Sequence, residues 1–185
     1  DKGLHCLLAA FVGIKRRVPQ ATLNIAGWGP DAEQLQAAWL ALSHGDVSAF
    51  VSVCQWAAAN HRSEKAARTL MEPLLAGVGS LADAFASPDD PNYPIGGVTF
   101  LGDVSRPGVA QLVATSQLTV LPSLVPEAHP LCLCESLSAG TPAIGTDNAG
   151  IQAVLMRIEE RVPAWRGCLR VSHEPTQFVH HLVEQ

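Results

Sequence analysis

A chain of 185 residues is long enough to bury one sizeable core. With 48% hydrophobic and 16% charged residues, extended disorder is excluded, and no run approaches the roughly 18 apolar residues of a membrane-spanning helix. Twelve Lys and Arg against 17 Asp and Glu leave a net charge of −5, which argues against a nucleic-acid partner held through phosphates. The start, Asp1-Lys2-Gly3-Leu4, has no charged-then-apolar leader and no initiator Met, so it reads as part of a longer chain. Five scattered cysteines, Cys6, Cys54, Cys132, Cys134 and Cys168, suit buried free thiols in a reducing cytoplasm rather than a disulfide framework or a metal site.

Leu4, Leu7, Leu8, Phe11 and Ile14 recur at helical spacing, and Pro19 stops the run. Ala21–Ala26 reads as a buried strand ending in the turn Gly27-Trp-Gly29-Pro30, and a helix starts near Asp31. Val98–Leu101 is a strand closed by Gly102. A helix follows from about Pro107 to Ser116, with Val109, Leu112 and Val113 inward. Leu118–Leu121 is the next strand, Pro130 to Ala139 a helix capped by Gly140, and Pro142–Gly145 a strand. Ile151–Glu160 reads as helix, Leu169–Val171 as a last short strand, and Pro175 opens the final helix. Alternating helices and apolar strands predict an α/β fold, a doubly wound parallel sheet covered on both faces, with ligands at the carboxyl ends of the strands.

The 67 residues between Pro30 and Val98 exceed an ordinary helical connection. Val47, Phe50, Val51, Cys54 and Ala58 have helical spacing, as do Ala67, Leu70, Met71 and Leu74, and Ser87–Pro94 reads as a loop. A helical insertion over 39–97 is expected within one domain spanning 1–185. It is expected to pack beside the ligand edge, with Val47, Phe50, Val51 and Trp56 covered locally or by a partner.

The richest stretch runs from Pro122 to Pro142. Glu127 and Glu135 lie eight positions apart, the first in a loop and the second in the second turn of a helix, about 9 Å along its axis. Between them the first helical amides point outward without partners and, with the helix dipole, favour an anion. Hydroxyl-binding carboxylates on either side of an anion site suit a nucleotide sugar. The alternative is two solvated glutamates, against which stands the apolar setting of Glu135 among Leu133, Cys134 and Leu137.

This stretch resembles the retaining glycosyltransferases of the GT-B fold, family 4, with Glu127 and Glu135 at the two glutamates of their E-x7-E motif. Pro122-Ser123, Glu135–Pro142 and Gly145-Thr-Asp147 match the motif's flanks. Lys2-Gly3 with Leu7-Leu8-x-x-Phe11, Ala26-Gly-x-Gly29-Pro30 and Phe100–Val104 match three further signatures in family order. The chain departs from the family at Ala128-His129-Pro130, where most members have Gly-aromatic-Gly, and at Ala149–Ala153, where most read Gly-Gly-x-Pro-Glu. The resemblance implies a Rossmann-like, carboxyl-terminal donor-binding domain. A strand with a Gly-Arg pair and an amino-terminal acceptor domain would lie upstream, and the fragment alone would be inactive. It implies sugar transfer from a nucleotide-diphosphate donor to a hydroxyl, with configuration retained and no cofactor or metal. Glu127 would hold the sugar hydroxyls, Lys2 would neutralise the diphosphate with the amides of His129, Pro130 and Leu131, and Glu135 would bind the ribose diol. Backbone near Val104, with Gly29, would complete the donor site. Two other readings stay open, a non-catalytic nucleotide-sugar-binding or protein-interaction module and a sugar-nucleotide epimerase of the same architecture. NAD is disfavoured, since Gly27-x-Gly29 lacks the third glycine of a dinucleotide fingerprint. Lys15-Arg16-Arg17 suits a helix carboxyl terminus, with a peripheral membrane contact left open.

Overall fold

The computed structural model describes residues 2–59 and 95–184. The expected helix around Ala67–Leu74 and the loop Ser87–Pro94 lie outside the described residues. Two compact units divide the chain, one of residues 4–103 and one of residues 1–3 with 104–185.

In the first unit, α1 (Leu4–Arg17) is buried along Cys6–Val12 and ends in three cations, which complement the carboxyl end of its dipole. Phe11 meets Trp39 of α2 (Ala32–Ser43) with ring centroids 5.9 Å apart, and α3 (Val47–Ala59) packs on α2. Phe50 and Cys54 of α3 are buried, Val47 and Val51 half-buried, and Trp56 is exposed. The strands β1 (Leu23–Ala26) and β2 (Val98–Gly102) pair in parallel. The register shifts between Ile25 and Ala26, and Gly27 N donates to Gly102 O at 2.8 Å, tying the two carboxyl-end turns together.

In the second unit, α4 (Arg106–Thr115) starts under Ser105, whose side chain accepts from Gly108 N. Then come β3 (Thr119–Leu121), α5 (Leu131–Ser138), β4 (Ala143–Thr146), α6 (Ala149–Arg161), β5 (Arg170–Val171) and α7 (Pro175–Glu184). The sheet is parallel in the order β3-β4-β5. All four residues of β4 are buried, and Leu133, Ala143, Ile151, Leu155 and Leu169 form the core around it. Gly140 takes φ +80 just past α5, which lets the chain turn directly into β4.

The parallel α/β class expected from the sequence is what the chain adopts. Two details differ. Among the described residues the strands form two sheets, of two and three strands, rather than one. Burial on both faces holds for β4 but not for β1 and β2, where Asn24, Ala26, Thr99 and Leu101 are exposed. The exposure alternates along both strands, so one face of this sheet is covered and the other is open.

The thiols also correct an expectation. Cys6 and Cys54 are buried, and burial pushes each up to about 12, so neither is a nucleophile near neutrality. Cys132, Cys134 and Cys168 are exposed, not buried, because the helix and turn that carry them present other side chains inward.

Candidate functional site

The connection from Pro122 to Pro130 leaves the carboxyl end of β3 and enters α5, at the strand edge where open α/β sheets bind ligands. It contains no helix or strand, so its course is set by distant partners. Lys2 Nζ donates to Glu127 Oε1 at 2.7 Å, although the residues are 125 positions apart. The Glu127 side chain is 23% exposed and that of Lys2 67%. Partial burial pushes the Glu127 carboxyl up. The hydrogen bonds from Lys2 and Ser123 and the Lys2 charge outweigh it and hold the group below the ordinary carboxylate value. A carboxylate lowered in this way stabilises the fold above its ordinary pKa, and that contribution is lost as pH falls through the lowered value.

The glycine after Lys2 has a local cause. Gly3 takes φ +66, and a Cβ there would overlap the carbonyl oxygen of Pro122. Only glycine lets the amino-terminal segment come this close to the loop, which is what brings the Lys2 ammonium to Glu127.

The far side of the loop is held by the turn between β4 and α6. Thr146 Oγ1 donates to Ser123 O at 2.6 Å and Asn148 Nδ2 donates to the same oxygen at 3.3 Å. Gly150 N donates to Glu127 O at 2.8 Å, and a Cβ at residue 150 would overlap that carbonyl. The single Ser123 proton has two acceptors, the Val125 carbonyl at 3.2 Å and the Glu127 carboxylate. Ala149, between Asn148 and Gly150, takes φ 44, a left-handed conformation that costs a residue with a Cβ about 1–2 kcal/mol. Sequence reasoning marked the carboxyl end of β4 as a ligand edge but missed the grip of this turn on the Glu127 loop. Its signal was Ala149-Gly150, aligned with a glycine pair of the resembled family.

Behind the turn, Glu159 of α6 is buried and accepts from Leu169 N at 3.3 Å and Arg170 Nε at 3.1 Å. Arg170 Nη1 donates to Asp147 Oδ1 at 2.9 Å. The hydrogen bond to Asp147 leads the interactions that push the Arg170 guanidinium up.

On α5 only Leu133 and Ser136 are buried. Glu135 is in the second turn as expected, but its side chain is exposed, and no hydrogen bond or ion pair involves it among the described residues. The apolar setting inferred from its sequence neighbours is thus corrected: adjacent helical residues do not share a face. Leu131 is 68% exposed, His129 is exposed and Pro130 is buried. The expected amide group is corrected as well. Pro130 has no amide hydrogen, and Leu131 N donates to His129 O at 2.9 Å. The amides of His129 and Cys132 donate to no backbone acceptor among the described residues.

Val104 packs toward α4, where a Cβ on Gly108 would come within 2.8 Å of it. Gly29 is in the other unit, in the turn after β1. Of the residues expected at the site, Lys2 and Glu127 are in contact, while Glu135 meets neither.

A family model described as glycosyl transferases group 1 matches residues 65–184, well over half of the chain. This chain belongs to the group 1 glycosyl transferases. The match spans Glu127, Glu135 and the β4–α6 turn, while Lys2 and Gly29 precede it. No curated protein and no solved structure matches the chain. Among the described residues of this glycosyl transferase domain, no helix is long and apolar enough to cross a membrane.

Proposed function

We propose that this chain is the donor-binding domain of a retaining glycosyl transferase of family 4, taking a nucleotide-diphosphate sugar as donor and a hydroxyl as acceptor. The observation that carries the reading is the Lys2–Glu127 contact at 2.7 Å, at the strand edge and one turn from the start of α5. Membership of the group 1 glycosyl transferases supports it.

In this reading the bond between the sugar's anomeric carbon and the diphosphate oxygen breaks as the acceptor hydroxyl oxygen bonds to that carbon, the leaving diphosphate gains negative charge, and its oxygen takes the hydroxyl proton. Lys2 and the amides of His129 and Cys132 meet that charge where it develops, which lowers the barrier without reorganisation at the moment of reaction. Glu127 accepts hydrogen bonds from hydroxyls of the sugar. The pairing with Lys2 keeps the two charges beside each other before the donor arrives, so binding exchanges one anion for another at the ammonium. The exposed Glu135 is open to the ribose diol. This scheme requires no metal or cofactor, and the nucleotide sugar enters it as the donor substrate.

Calorimetric titration with UDP, GDP and ADP tests the reading. One nucleotide is expected to bind. Lys2→Ala and Glu135→Ala should each weaken it roughly tenfold, the worth of one charge-assisted hydrogen bond. Binding that is indifferent to both substitutions would overturn the assignment.

A further inference from the structure

We propose that the turn between β4 and α6 positions the Glu127 carboxylate, with Thr146, Asn148 and Gly150 acting as positioning residues through the backbone of the loop that carries it. The inference rests on the reading above, in which Glu127 faces the donor sugar.

The three residues alternate along the turn, and each gives a donor to the Glu127 loop. Thr146 and Asn148 converge on one carbonyl, that of Ser123, at the start of the loop. Gly150 holds the carbonyl of Glu127 itself. All three side chains at the Ser123 end are buried: Ser123 at 2% exposure, Thr146 at 0% and Asn148 at 8%. Two clamped carbonyls four residues apart leave the intervening backbone little freedom, and the Ser123 hydroxyl then lies within reach of the carboxylate.

The turn gives up local stability to make these bonds. Asn148 stands at the amino-terminal cap of the 13-residue α6, where an Asn side chain ordinarily accepts from the helix's own amides. It makes no such bond. Its amide nitrogen serves Ser123 O instead, and its Oδ1 is buried without a partner among the described residues. Ala149 accepts a left-handed conformation, and position 150 excludes any side chain because the Glu127 and Ala128 carbonyls occupy the space. A forgone cap, an orphaned oxygen and a strained residue all occur where the Glu127 loop is gripped. Strain of this kind persists where the surrounding structure imposes it, as at sites that must hold a geometry.

The test reads Glu127 directly, by carboxyl-carbon NMR titration of the chain, in Thr146→Val, Thr146→Ser and Asn148→Ala. Thr146→Val keeps the shape and removes the donor. The loop should relax, Lys2 and Ser123 should lose their hold on the carboxylate, and Glu127 should titrate upward toward the ordinary value. Thr146→Ser keeps the hydroxyl and should titrate as the parent does. A Thr146→Val chain whose Glu127 is unmoved, or a Thr146→Ser chain that shifts equally, overturns the proposal. If Thr146→Val does not fold, the same comparison on Asn148→Ala decides it. A merely structural role would change the melting temperature and leave the Glu127 titration in place. Titrating each folded variant with UDP, GDP and ADP separates the two claims. If Glu127 shifts but the parent binds no nucleotide, the donor reading fails and the positioning stands. If the parent binds and Glu127 does not shift, the positioning fails alone.

Discussion

At the scale of single residues, the backbone at the site is held in place by two glycines and one alanine. Gly3 and Gly150 are glycines because a carbonyl of the Pro122–Pro130 loop fills the space a Cβ would need. Ala149 is the exception: it carries a Cβ at φ 44 and is exposed, so its methyl gains little from packing. Ala149→Gly should therefore stabilise the fold by roughly 0.5–1 kcal/mol. That is the left-handed cost relieved, less the extra freedom glycine has when unfolded. An upward shift of the urea midpoint at unchanged slope is the expected outcome, and a downward shift would show that the strain is not borne at this residue. The sequence shows Ala149-Gly150 where the resembled family has a glycine pair, but not what that position does physically. The φ of one residue depends on Asn148 and Gly150 being drawn to a loop more than twenty positions upstream.

Elements were the most legible level. Every described α-helix and strand lies within a few residues of its expectation, because Pro19, Gly27, Gly102 and Gly140 punctuate apolar runs of clear period, while the short 3-10 helix Pro163–Trp165 was not foreseen. What the residues could not disclose was pairing. Strand order and the division into two sheets depend on contacts between distant segments, which local periodicity does not encode. Glu135 shows the same limit on one helix: Leu133 and Leu137 turn inward, and the 100° step per residue carries Glu135 and Cys134 out to solvent. The brace between α6 and β5 was also invisible, since an Arg in a two-residue strand has no pattern. It carries a prediction of its own. Arg170→Met should cost about 3 kcal/mol, because Glu159, with its side chain only 4% exposed, would lose its cation and a hydrogen-bond donor. Adding Glu159→Met should recover part of that loss. Chemical denaturation of the two variants checks both statements, and a neutral Arg170→Met would show that the Arg170–Glu159 contact does not brace the fold.

For the whole molecule, a chain of net charge −5 in a sugar-transferring family faces an electrostatic problem, since its proposed ligand is itself an anion. The account resolves it locally, with one ammonium and the amides before and within the first turn of α5. The two compact units give this claim a spatial prediction, because Lys2, Glu127, Glu135 and the α5 amides all belong to the unit of residues 1–3 and 104–185. Amide NMR of the chain titrated with UDP, GDP and ADP in turn is the most direct measurement. The account predicts that one of them shifts a connected set of signals centred on Lys2, Glu127, His129 and Cys132, with Glu135 included, and that Lys2→Ala moves those shifts to roughly tenfold higher nucleotide concentration. The absence of any response to all three nucleotides, or a response confined to residues away from the Glu127 loop, would contradict it.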